Sequence, residues 1–299
     1  VNTKKIKTFL FLLFNLSIIN AQENNGLAFL KVDVDARAAS MAGAYTALSK
    51  DGSAAYWNPA GLALAEKKSL IVMHNNWLWD FTHSFAACHF LIGEHNFALS
   101  FNYMQIPGIE PRLTPTEEPS GTIDAYNLAA GLSYAKMYDE EWAAGISLKY
   151  LFEKYYFFSA PGWAIDMGVY KKNLLSYTDI GFTIQNIGKM SGLNKKSSPL
   201  PIIVSSDLSI RVPGFFDNKL IVSPGFRWIS KEKTYFHIGT EYQLYGNLHL
   251  RAGLRNGNDS IMWTGGLGVN YKSFHLDYAY APFEYELGSS GRVSLGIAL

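Results

Sequence analysis

Glu241 and Arg251 stand at equal distances from Gly246, and His237 and Arg255 do the same. A three-residue turn at Tyr245-Gly246-Asn247 between two strands would set Glu241 opposite Arg251 and His237 opposite Arg255, all on one face. Asp277 has the same parity as His275, opposite to Phe274, Leu276, Tyr278 and Tyr280, so it belongs to a polar face too. Facing opposite charges can brace two strands or hold a polar ligand. Bracing is the reading adopted, because each charge then lowers the cost of burying the other.

Other chemistry is sparse. His83 and His89 share a parity with Phe85, and would hold a metal only if folding supplied further ligands. The single cysteine, Cys88, excludes an internal disulfide and a multi-cysteine metal site, and reads as a small apolar filler. The sequence contains no G-x-S-x-G elbow, no Walker loop, no H-E-x-x-H and no dinucleotide fingerprint. Gly265-Gly266-Leu267-Gly268 falls within a strand pattern, where glycine thins a wall or permits a bend. No catalytic centre, no metal site and no cofactor is expected.

The elements that must position these residues alternate with period two. Trp142, Ala144, Ile146, Leu148 and Tyr150 form one face, against Ala143, Gly145, Ser147 and Lys149 on the other. Leu248, Leu250, Ala252 and Leu254 alternate with His249, Arg251, Gly253 and Arg255 in the same way. Fourteen such segments can be counted between residues 69 and 299, many of roughly ten residues, the length that crosses a membrane as a tilted strand. Counting from the first, the even connections are short, as at Gly93-Glu94 and Lys272-Ser273. The odd ones hold the long excursions: 105–122 with four prolines, 152–162 with Tyr155, Tyr156, Phe157 and Phe158, and 188–201. Short turns at one end and long loops at the other are the habit of a transmembrane barrel.

Composition agrees. Charged residues make up 17% of the chain against about 25% in soluble domains, and the net charge is +1. Eighteen tyrosines and seven tryptophans suit membrane interfaces. Without clustered cations, nucleic acid is excluded as a partner. Lys4, Lys5 and Lys7 precede an apolar run from Phe9 to Ile19 and then Asn20-Ala21, the layout of a signal peptide over residues 1–21. The run is too short to span a membrane as a helix. The fold expected is therefore all-β, a transmembrane antiparallel barrel of about fourteen strands over residues 67–299, placed in the outer membrane with lipid around it.

Residues 22–66 do not alternate. They read as two short helices, one from Ala36 to Leu48 and one opening at Asn58-Pro59, where proline suits the first helical position. A segment of about forty residues has too little core to stand alone. It is expected in or against the lumen, with a small periplasmic flap as the alternative, and Asp33, Asp35 and Arg37 are candidates to join the lumen lining. Pro224-Gly225 interrupts an apolar strand, and marks a possible bulge and sideways gap. The aromatic run Tyr155 to Phe158 on an outer connection is a candidate surface for a protein partner, or else part of the interfacial girdle.

The stretch Phe29-Leu30-Lys31, then Ala36-Arg37-Ala38-Ala39-Ser40-Met41-Ala42-Gly43-Ala44-Tyr45-Thr46-Ala47, then Asp51 to Leu62 with Asn58-Pro59-Ala60-Gly61, resembles the opening of the PorV/PorQ family. That family belongs to the FadL-like group of fourteen-stranded outer-membrane proteins, many of which share the N-P-A-G step. The resemblance implies a barrel with Arg37, Gly43, Asn58, Pro59 and Gly61 in a lumenal plug. It also implies a non-enzymatic role in type IX secretion in Bacteroidetes and relatives, with secretion machinery or cargo sorting domains as protein partners. The wider group offers the alternative of a channel for hydrophobic small molecules. The final Ile297-Ala298-Leu299 replaces the terminal aromatic of many barrels with a weaker form of that insertion signal.

Overall fold

The computed structural model describes residues 25–77, 80–110, 121–193, 197–214, 219–232, 234–256 and 261–299. The expected signal peptide and most of the proline-rich connection lie outside the described residues.

Fourteen antiparallel strands close into one barrel, each paired with its chain neighbours and β1 paired with β14. They are β1 (Ser69–Asn76), β2 (Thr82–Ile92), β3 (His95–Ile109), β4 (Ile123–Met137), β5 (Trp142–Tyr155), β6 (Phe158–Leu175), β7 (Thr178–Met190), β8 (Ile203–Arg211), β9 (Leu220–Ile229), β10 (Tyr235–Leu244), β11 (Leu248–Asn256), β12 (Trp263–Tyr271), β13 (Phe274–Pro282) and β14 (Ser289–Ala298). Closure leaves no sheet edge to aggregate, and gives most ladder groups partners without water. The outward parity is apolar all round, from Leu70 and Val72 through Leu148, Met167, Ile238 and Leu267 to Val293 and Leu295, each exposed on the isolated chain. An apolar belt on a closed barrel is what a bilayer covers. The chain is an outer-membrane β-barrel. Its short turns share one end with Ser69 and Ala298, and that end is periplasmic by the usual rule.

The wall is uneven. Strands β3 to β7 have 15, 15, 14, 18 and 13 residues. Strands β8 to β14 have nine or ten, and β1 has eight. Part of the extra height comes from a correction to the sequence reading. The connection expected over 152–162 is a two-residue turn, with Tyr155 paired to Phe158 across it. Aromatic residues favour strands, and here they extend the ladder rather than break it. Tyr156 takes up the turn with φ 55°.

Residues 28–64 lie within the barrel as short 3-10 turns at Ala28–Lys31 and Pro59–Leu64 and two short helices, α1 (Ala36–Ser40) and α2 (Ala54–Trp57). The helix expected from Ala36 to Leu48 stops at Ser40. Ala42 and Gly43 adopt φ 55° and 79°, turning the chain so that the Ala42 carbonyl meets Arg255. Two hydrogen bonds from a buried guanidinium outweigh the weak helical preference of a run containing glycine.

Candidate functional site

The interior is assembled from side chains of the inward parity reaching the backbone of residues 28–64. That segment has little regular structure, so most of its polar groups need other partners. Ser294 accepts from the Ala36 amide, Thr264 accepts from the Ala42 amide and donates to the Ser40 carbonyl, and Ser69 accepts from the Gly52 amide. Tyr170 donates to the Ala47 carbonyl, and Gln185 to that of Tyr56. The contact is close because the wall is thinned with glycine. A Cβ at Gly145, Gly168, Gly181, Gly239 or Gly253 would lie 2.0 to 2.7 Å from atoms of this segment, and one at Gly266 would lie 2.5 Å from Ser40.

The N-P-A-G step is part of the same fit. Asn58 donates to the Thr46 and Val169 carbonyls, and its Oδ1 accepts from the Ala60 amide. Pro59 lies against the bare backbone of Gly145, and Gly61 passes the Ser49 carbonyl where a Cβ would be 1.9 Å from oxygen.

Two ion networks bind the segment to the late strands. Arg37 grips Glu241 with both Nε and Nη2, at 2.8 and 2.7 Å. Glu241 is the register partner of Arg251 and accepts from its Nε at 2.6 Å, and Arg251 reaches Asp277 at 2.6 Å. The last contact crosses β12 at Gly268, where a Cβ would collide with both side chains. In the second network Asp33 accepts from Arg227 at 2.8 Å and Arg255 at 2.6 Å. Burial alone would raise the Asp33 pKa, but Arg255 and Arg227 hold it well below the usual carboxylate range. His237 faces Arg255 in register but bonds Asp207 at 2.6 Å, and Asp207 also accepts from the Thr46 amide.

A polar cavity of about 180 Å³ opens near the turn end, lined by Asp35, Arg37, Asp51, His249, Arg251 and Asp277 among others. Burial, followed by the nearby carboxylates of Asp277 and Asp51, raises the Asp35 pKa to about 7. Toward the loop end the lining changes character. Met104, Ala129, Leu151, Ala160, Ala164, Met190 and Leu200 form an apolar cluster, and Leu27, Phe29 and Leu30 fill it.

The remaining sequence candidates fall elsewhere. His83 and His89 are buried and bonded to Asn102 and Asn96, and among the described residues no group of three or more potential ligands could hold a metal. At Pro224-Gly225 no bulge forms, but the expected local loss of pairing is present on one side. Both stay in register with β10, while the ladder to β8 stops at Asp207–Gly225 and resumes unshifted at Ile210–Val222. Gly225 also serves the lumen: Asp207 crosses over it toward His237, where a Cβ would stand 1.8 Å from the carboxylate. Tyr155 to Phe158 cap the β5–β6 hairpin at the loop end, and Phe157 is 80% exposed.

The fold is similar to that of solved hydrocarbon channels. A deltaS2 mutant of the TodX monoaromatic hydrocarbon channel aligns with a TM-score of 0.61 and 11% identity over 88% of this chain and 96% of its own. The CymD monoaromatic hydrocarbon channel gives 0.57 and 13%, covering 92% and 97%. The Pseudomonas putida toluene transporter TodX gives 0.58 and 11%, covering 84% and 95%. No family model and no curated protein matches the sequence.

Proposed function

We propose that this barrel passes hydrophobic small molecules across the outer membrane. The observation that carries the reading is the apolar lining at the loop end, since an aqueous pore has a polar interior. Leu27, Phe29 and Leu30 occupy that lining as a compound would, and they are the residues that yield to it. Below them the ion networks and glycine contacts fix the rest of the segment, so the stretch before Asp33, tied at the rim by Lys31 on Glu232 at 2.7 Å, is the part that gives way. The channels of similar fold, described as carrying monoaromatic hydrocarbons, support the same reading.

The test is uptake of labelled toluene by cells expressing the barrel in an outer membrane that lacks such channels. Expression should raise the rate, and Leu151→Asp, which places a carboxylate in the apolar lining, should abolish the gain while heat-modifiable migration stays intact. Equal uptake with and without the barrel would overturn the reading.

One observation favours a second reading, in which the barrel serves protein secretion: Tyr155, Phe157 and Phe158 are exposed at the tip of the β5–β6 hairpin, an apolar patch suited to a protein partner. Replacing Tyr155 through Phe158 by serine should then reduce recovery of secretion machinery or cargo from solubilised membranes. Unchanged recovery with a correctly inserted barrel would leave passage alone.

A further inference from the structure

On the lipid-facing surface at the turn end, β4 to β6 carry a hollow that passage through the lumen does not use. Its volume is about 410 Å³, and Tyr138, Asp139, Trp142, Ala143, Ala144 and Val169 line it. Register explains the hollow. Lys136, Ala144 and Val169 lie side by side on β4, β5 and β6, all facing outward, with Trp142 and Lys171 paired on the next outward row toward the turn end. Ala144 is the small residue between longer neighbours, so the surface dips there.

The rim of the hollow carries both signs of charge. Lys136 flanks it on one side. Lys171 lies over the Trp142 ring at 4.6 Å and pairs with Glu141 at 2.7 Å. The β4–β5 turn adds Asp139 and Glu140, and Asp139 fixes the turn by accepting from the Glu141 and Trp142 amides. Trp142 and the exposed Tyr138 mark the depth at which headgroups begin. An apolar hollow below that level, with cations and carboxylates at it, matches a molecule with an acyl chain, a phosphate and a protonated amine.

We propose that this hollow is a binding site for one phospholipid of the periplasmic leaflet with a phosphoethanolamine headgroup. An acyl chain lies over Ala144 against Val169 and Trp142, the phosphate meets Lys136 and Lys171, and the ammonium donates to the carboxylates of the turn. A phosphoglycerol headgroup has no cation for those carboxylates. A phosphocholine headgroup has a cation that cannot donate a hydrogen bond.

Native mass spectrometry of the purified barrel tests this, with phosphatidylethanolamine, phosphatidylglycerol and phosphatidylcholine of identical chains supplied in turn. The ethanolamine lipid should be retained at collision energies that strip the other two. Ala144→Leu, which fills the hollow from an exposed position, and the double variant Lys136→Ala/Lys171→Ala should each lower its retention roughly tenfold. Heat-modifiable migration should be unchanged in both. Equal retention of the three lipids, stronger retention of another headgroup, or retention unaffected in both variants would overturn the proposal. Toluene uptake is read separately, so failure here leaves the passage reading standing.

Discussion

The tall wall of β3 to β7 and the short wall of β8 to β14 with β1 treat the same lumenal segment differently. The short wall reaches it through charge: Glu241 on Arg37, Arg227 and Arg255 on Asp33, and Asp207 on the Thr46 amide. The tall wall, above its glycine contacts, offers alanine, leucine and methionine to Leu27, Phe29 and Leu30. Charged contacts are directional and lose most of their value with small displacements, whereas apolar contacts tolerate exchange of one apolar group for another. The segment is therefore held mainly by charge on one side and mainly by exchangeable apolar contact on the other, with Lys31 on Glu232 and Lys50 on Asp179 as further ties.

The sharpest way to break this contrast is to unpair the holding side. Glu241→Leu takes the shared carboxylate from the half-buried Arg37 and the buried Arg251, which keeps Asp277, and should lower stability to denaturant in detergent by about 2–3 kcal/mol, less than the cost of stranding a fully buried charge. Adding Arg37→Met, which removes the unpaired guanidinium and leaves Arg251 on Asp277, should recover part of that loss, and a double-mutant cycle separates the pair from its members. Purely additive losses would show that the network contributes nothing as a unit.

Steric exclusion should come next. A Cβ at Gly253 would stand 2.4 Å from the Ala42 nitrogen, so Gly253→Val must push the segment off β11. A loss of about 1–3 kcal/mol is expected, with faster proteolysis between residues 36 and 48 while the strands remain protected. Wild-type protease resistance would mean that the segment is not seated as described.

The polar cavity adds a dependence on pH. Asp35 is raised to about 7, so the folded protein binds a proton there that the unfolded chain releases above its ordinary carboxylate pKa near 4. The stability from this group is fully present below that value and is lost as pH rises through about 7. Asp35→Asn should therefore gain stability over wild type at pH 8, and the advantage should vanish near pH 4. A difference that is the same at both pH values would remove Asp35 from the titration.

The smallest effect should lie at the top of the tall wall. Phe157 is 80% exposed, and Phe157→Ser should change barrel stability by no more than about 0.5 kcal/mol in an unfolding titration. A larger loss would place the hairpin tip among the holding contacts.

The sequence shows the walls more clearly than what lies between them. Period two survives in nearly every strand because lipid requires an apolar residue at each outward position, so the pairing of Glu241 with Arg251 can be read from the Gly246 turn alone. The β5–β6 hairpin is hidden because Tyr155 to Phe158 contain no turn-forming residue, and only the φ of Tyr156 marks the reversal. The path of residues 36–48 is hidden for another reason: Arg255 and Thr264, more than two hundred positions away, supply its hydrogen bonds. The glycine belt does leave a signal. Gly145, Gly168, Gly181, Gly239, Gly253 and Gly266 all carry the inward parity of their strands, but that Gly145 faces Gly168 and Gly239 faces Gly253 emerges only once the strands are in register.

The seam between β1 and β14 bears on how the barrel stays closed. Both seam strands hold the lumenal segment, Ser294 through the Ala36 amide and Ser69 through the Gly52 amide, and Ser69 follows that segment in the chain by only a few residues. The seam is thus tied twice, once by the ladder from Ser69 to Ala298 and once through the lumenal segment that both strands grip.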